Sequence, residues 1–197
     1  EGDTTAVLAG IDISGAIVNA GSNTGFSGTF PAAAFTLDGD KTVTITSTNA
    51  ITTGKAMTVA TSNGIISDAV NVRGKTIDGL GSVVLNKLNE DPSGVFAGIT
   101  NTGTVTLNTN ADITDFSGSF PATAFTLDGT SRTVTMSEDG ITTGKTMTVG
   151  SGNTLISTAT LLDGKTITGA GGKITINSLE GDTTAVLAGI DISGAIV

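Results

Sequence analysis

Gly144-Lys145-Thr146-Met147-Thr148-Val149 returns at a step of 20 as Gly164-Lys165-Thr166-Ile167-Thr168. The same step of 20 separates Gly54-Lys55-Ala56-Met57-Thr58-Val59 from Gly74-Lys75-Thr76-Ile77. Each phrase opens on a Gly-Lys turn and continues with apolar residues at every second position. Alternation at period two sends one set of side chains inward and the other outward, as in a half-buried strand. A step of this size matches one coil of a β-solenoid, in which successive turns of the chain stack and bury a continuous aliphatic core.

The pattern extends over the chain. Lys41–Thr46 (KTVTIT), Gly103–Leu107 (GTVTL), Arg132–Met136 (RTVTM) and Lys173–Ile176 (KITI) alternate in the same way. Val, Ile and Thr suit a pleated, half-buried surface, and with 37 Thr the outward positions are largely hydroxyl-bearing. Gly, Asn and Asp interrupt the segments about every ten residues, as turns require. No helix is expected; the Ala-rich stretch 31–34 is too short and is bounded by Pro and Phe. The fold expected is all-β, a β-solenoid (parallel β-helix-like) built from tandem repeats. The alternative is a string of Ig-like β-sandwiches about 90 residues long. The repeat length suits the sandwich. The absence of Trp and Tyr, and linkers that are not Pro-rich, suit the solenoid.

Repeats occur on two scales. Glu1–Val18 and Glu180–Val197 both read EGDTTAVLAGIDISGAIV, identical at all 18 positions. Inside that long unit lies an older repeat at a shift of 90: FSGTFPAAAFTLDG from Phe26 returns as FSGSFPATAFTLDG from Phe116. Elsewhere the halves have drifted by a residue or two. Val95-Phe96-Ala97-Gly98-Ile99, for example, aligns with Val7-Leu8-Ala9-Gly10-Ile11 at a shift of 88. The expected division is 1–88, a first half-repeat; 89–179, a second; and 180–197, the start of the next copy. The expected context is a window on a longer tandem array.

Composition narrows the chemistry. The chain of 197 residues has no Cys and no His, so disulfide frameworks, thiolate or imidazole metal ligands, a Cys nucleophile and a Ser-His-Asp triad are excluded. A net charge of −9, from 9 Lys+Arg and 18 Asp+Glu, opposes binding to nucleic acid or an anionic membrane. No apolar run approaches the roughly 18 residues of a membrane span.

Leu161–Ile176 (LLDGKTITGAGGKITI), followed by Asn177–Asp182 (NSLEGD), resembles the Thr/Gly/Ala-rich tandem repeats of very large bacterial surface and secreted proteins, the giant adhesins and cell-surface fibres. The resemblance is one of composition and phrasing over the whole chain. It implies an extracellular, structural or adhesive role and transfers no catalytic residue.

Few motifs carry chemistry. Gly-Lys-Thr at Gly74, Gly144 and Gly164 has the ending of a phosphate loop. The Gly that such a loop needs five positions earlier is replaced by Ala69, Asp139 and Ala159, so these phrases read as turns. Acidic turns offer the better metal candidates. Asp38 and Asp40, Glu90 and Asp91, and Glu180 and Asp182 place carboxylate oxygens close together in loops, which suits Ca²⁺. In the second half Asp40 is replaced by Thr130, so that group is not copied. Thr-x-Thr pairs such as Thr146/Thr148 and Thr166/Thr168 offer a hydroxyl face to ice, or simply line a solvated strand. Phe26, Phe30 and Phe35, with Phe116, Phe120 and Phe125, read as a core plug or a joint between repeats. The function expected is a non-enzymatic structural repeat forming the shaft of an extracellular fibre, sheath, surface layer or long adhesin, associating end to end with neighbouring repeats or copies. The alternative is an adhesin module taking Ca²⁺, glycan or ice on one face.

Overall fold

The computed structural model describes residues 16–19, 22–27, 34–48, 56–91, 96–116, 124–129, 131–137, 146–178 and 187–192. The chain forms two compact units, Glu1–Asn86 with Val95–Val105 and Lys87–Gly94 with Thr106–Val197.

In the first unit the chain runs β1 (Ala16–Asn19), β2 (Thr24–Phe26), β3 (Ala34–Asp38), β4 (Thr42–Ile45), β5 (Ala56–Val59), β6 (Gly64–Asp68), α1 (Ala69–Val72), β7 (Thr76–Gly79) and β8 (Ser82–Leu88). Odd and even strands separate onto two parallel sheets, ordered β1-β3-β5-β7 and β8-β6-β4-β2. Each strand therefore pairs with the next strand but one. The intervening strand serves as the crossover that parallel pairing demands. This is the β-solenoid, and it sets aside the sandwich, whose sheets are built from antiparallel pairs.

The second unit repeats the plan with β9 (Val105–Thr109), β10 (Ile113–Phe116), β11 (Ala124–Gly129), β12 (Thr133–Met136), β13 (Thr146–Gly150), β14 (Thr154–Thr158), α2 (Ala159–Leu162), β15 (Thr166–Ala170), β16 (Lys173–Asn177) and β17 (Ile190–Ile192). Its sheets run β10-β12-β14-β16 and β17-β15-β13-β11-β9.

Register explains the step seen in the sequence. Met57 lies beside Ile77, and Met147 beside Ile167, so the distance between Gly-Lys phrases is the length of one coil. Other coils are shorter, as where Ile65 lies beside Val83, or longer, as where Ile167 lies beside Ile190. The corners take up the slack. The alternation is also realised: β4 buries Val43 and Ile45 while Thr44 is exposed, and β12 buries Val134 and Met136. Stacking puts like on like. Val43, Ile65 and Val83 form one buried ladder, and Val134, Leu155 and Ile174 another. Each such side chain removed from water stabilises the stack by about 1.5–3 kcal/mol.

Two helical turns were not expected. α1 (AVNV) and α2 (ATLL) are four residues long and bury Ala69 and Val72, and Ala159 and Leu162. One turn is too short to show a helical period, and Val and Thr favour strands. Burial of two apolar side chains against the coil decides the local conformation. In α2 the Thr158 hydroxyl also accepts from the Leu161 N–H at 3.4 Å.

Candidate functional site

The feature common to both units is a seat for one more coil. In the first unit the Ile77 N–H of β7 donates to the Gly98 carbonyl at 2.9 Å, and the Thr100 N–H returns a bond to the Ile77 carbonyl at 2.9 Å. The segment turns on itself through the Ile99 N–H to Phe96 carbonyl bond, also 2.9 Å. In the second unit the Ile167 N–H of β15 donates to the Gly189 carbonyl at 2.9 Å, and the Ile190 N–H bonds the Leu187 carbonyl at 3.0 Å. Phe96-Ala97-Gly98-Ile99 and Leu187-Ala188-Gly189-Ile190 thus use the same bonds on equivalent strands. Glycine is required at the centre of each. A Cβ on Gly98 would run into the Lys75 carbonyl oxygen, and one on Gly189 into that of Lys165. The two seats differ in cover. Phe96 and Ile99 are 0% exposed, whereas Leu187 and Ile190 are half-buried and Ala188, Gly189 and Asp191 are exposed.

The corners are held by polar side chains that reach from coil to coil. The Lys41 N–H donates to Asn63 Oδ1 at 3.0 Å and the Thr42 N–H to Asn23 Oδ1 at 3.0 Å. In the second unit the Thr133 N–H donates to Asp112 Oδ1 at 2.9 Å, and Asn153 Nδ2 donates to the carbonyls of Gly129, Gly150 and Ser151 at 3.4 Å each. Asn63, Asn101 and Asn153 are buried, and Asn101 Nδ2 donates to the Gly81 carbonyl at 2.6 Å. Asn63 uses both ends of its amide, Oδ1 accepting the Lys41 N–H and Nδ2 donating to the Thr61 carbonyl at 3.2 Å, whereas Asn101 and Asn153 use the donor end and their buried Oδ1 atoms have no hydrogen-bond partner. These residues carry little sign in the sequence. The only signal was one Asn in corresponding turns, Ser62-Asn63-Gly64 and Gly152-Asn153-Thr154.

The acidic turns lie as follows. Asp38 closes β3, where its Oδ1 accepts the Gly39 N–H at 2.8 Å and Asn63 Nδ2 at 3.5 Å. Asp128 accepts the Gly129 N–H at the same 2.8 Å, so the Asp-Gly turn recurs without its acidic neighbour. Asp40 is exposed and has φ 54°, a conformation that Asp tolerates better than most residues; Ser131 takes φ 51° in the other unit. Glu90 and Asp91 are half-buried in the turn after β8. Glu180 and Asp182 lie outside the described residues. Among the described residues no three carboxylates gather into a group that could hold a metal ion.

Asp38→Ala is expected to cost about 1 kcal/mol through the lost turn bonds, as read by urea unfolding, with the same loss in the presence and absence of millimolar calcium. A calcium-dependent rise in melting temperature that Asp38→Ala abolishes would instead make Asp38 a ligand.

The remaining motifs resolve into packing and turns. Gly74-Lys75 and Gly164-Lys165 follow a helical turn and lead into a strand, the reverse of the strand-to-helix order of a phosphate loop. Lys75 and Lys165 are 9% and 6% exposed. Phe26 and Phe116 are core residues at 1% exposure, stacked beside Ile45 and Met136. Backbone register puts Phe35 beside Met57 and Phe125 beside Met147, while Phe30 and Phe120 fall outside the described residues.

Thr146 and Thr148 pair in register with Thr166 and Thr168. The Thr148 and Thr168 hydroxyls bond each other at 3.0 Å, and the corresponding pairs of the first unit are Ala56 with Thr76 and Thr58 with Asp78. A groove of about 190 Å³ lies between Thr44, Thr46, Ser67, Asp68, Asn71 and Asn86. Its Ser67 hydroxyl and Asn71 amide both donate to the Ile45 carbonyl, at 3.3 and 3.1 Å, which ties down the end of β4. In the second unit Leu161 stands in the place of Asn71.

Among the described residues no helix is long and apolar enough to cross a membrane. Comparison with protein-family models, with curated proteins and with solved structures returns no match.

Proposed function

We propose that the chain is a non-enzymatic structural repeat, the shaft of an extracellular fibre, sheath, surface layer or long adhesin, in which each copy stacks on the next. One observation carries the reading. Residues 187–192 belong to a verbatim second copy of the sequence beginning at Glu1, and they continue the β15 ladder with the bonds that residues 96–99 make on β7. The passage from one copy to the next thus follows the rule that already operates inside a copy. A stack of this kind leaves unpaired strand edges only at the ends of the array. Small aliphatics inside, Thr and Gly outside and a charge of −9 supply a soluble wall with few side chains capable of covalent chemistry. The resemblance to the tandem repeats of giant bacterial surface proteins points the same way.

Negative-stain imaging of the native material tests this directly. The expected result is an unbranched filament of even width. Isolated particles the size of a single repeat unit would overturn it.

A further inference from the structure

Residues 187–192 and residues 8–13 have the same sequence, LAGIDI. The seat on β15 is built for that sequence. Ile190, Asp191 and Ile192 lie parallel to Ile167, Thr168 and Gly169, and Gly189 fits against the Lys165 backbone where no side chain can. Nothing in these contacts distinguishes which copy of LAGIDI supplies them. We propose that residues 8–13 of a second copy of this chain take the seat on β15 in place of the chain's own residues 187–192, joining copies head to tail by strand exchange. This rests on the reading that copies stack, and it names the surface through which separate chains do so.

The energetics set the conditions. The bonds that residues 187–192 give up on β15 are those that residues 8–13 would make there, so occupancy of the seat is governed by concentration. The chain's own segment is tethered to β16 by a short linker and competes at an effective concentration in the millimolar range. At micromolar protein the seat is therefore filled from within. Removing the internal competitor opens it, and because the donor segment and the acceptor edge lie on different parts of the chain, the contact is heterologous and propagates.

The test uses the full chain of 197 residues. Gly189→Val expels the internal segment and leaves Gly10 intact. Light scattering after size exclusion is expected to show oligomers that grow with concentration. Excess synthetic peptide of residues 1–18 should return them to monomer, and the same peptide carrying Gly10→Val should not. The double variant Gly10→Val/Gly189→Val is expected to remain monomeric. Ile190→Asp, which leaves the backbone of the seat unchanged, gives a second opening variant should Gly189→Val fold poorly. The proposal is overturned if neither opening variant binds the peptide, or if the double variant oligomerises as readily as the single one. Even filaments in native material combined with no peptide binding would refute this seat and leave the shaft reading standing.

Discussion

Gly98→Val is expected to remove a whole coil from the first unit. The new Cβ would meet the Lys75 carbonyl oxygen and lie 3.1 Å from the Lys75 carbonyl carbon and 3.2 Å from Thr76 Cα. These are backbone atoms held by the Lys75 N–H to Val72 carbonyl bond at 3.0 Å and by the pairing of β5 with β7. They cannot yield as the tip of a flexible side chain can. The segment must leave instead. With it go the bonds between Ile77 and both Gly98 and Thr100, and the burial of Phe96 and Ile99 at 0% exposure. Exposing two such side chains costs about 3–6 kcal/mol before any hydrogen bond is counted. Urea unfolding should show a loss above about 4 kcal/mol, placing the variant in the severe class of single substitutions. Gly74→Ala is the control. Its φ is +66° and nothing lies within 4 Å of the new Cβ, so the strain is local and the cost stays near about 1 kcal/mol. Equal losses in the two variants would show that Gly98 is not held by close approach.

Ile77→Ala is expected to cost about 2–5 kcal/mol, toward the upper end of that range. Ile77 lies between Met57 and Ile99 in one ladder, and all three are 0% exposed. Parallel backbone hydrogen bonds fix the coil spacing, so neighbours cannot close over the cavity. Ile167→Ala makes the matching change between Met147 and Ile190. Ile190 is only half-buried, and its coil has freedom to settle inward. The loss there should be smaller by about 1 kcal/mol or more, since the cost of a cavity depends on how well the site collapses. Chemical denaturation of the two variants side by side checks the difference. A larger loss at Ile167 would show that Ile190 covers its ladder as fully as Ile99 covers the other.

Much of this molecule can be read without coordinates. Met57 and Ile77, each two residues after the Lys of a Gly-Lys phrase, announce both the inward face and the coil length. The FTLDG phrase likewise recurs at the ends of β3 and β11, where Asp38 and Asp128 each accept the N–H of the following glycine. The candidate site was far less legible. Asp38 was a candidate metal ligand by residue type, yet its oxygen holds a backbone N–H and the amide of Asn63, a full coil further along the chain. Gly98 and Gly189 were two glycines among 28, and their necessity is visible only once the Lys75 and Lys165 carbonyls lie against them. The helical turns at Ala69–Val72 and Ala159–Leu162 leave no periodic trace because each is about one turn, too short for the period to repeat.

Alternation of apolar and polar residues, turn chemistry and internal copying are properties of neighbours along the chain, so strands such as β4, β5, β12 and β13, their inward faces and a repeat of about one coil are legible in the sequence alone. The sense in which those strands pair is a property of residues a whole coil apart, such as Ile65 with Val83 or Ile167 with Ile190. Period-two alternation is the same in parallel and antiparallel sheets. The 20-residue step and the absence of Trp and Tyr favour the solenoid in the sequence; the tertiary structure adds the parallel pairing that sets the sandwich aside, brings Asn63 and Asn153 into the corners and builds the seat at β15.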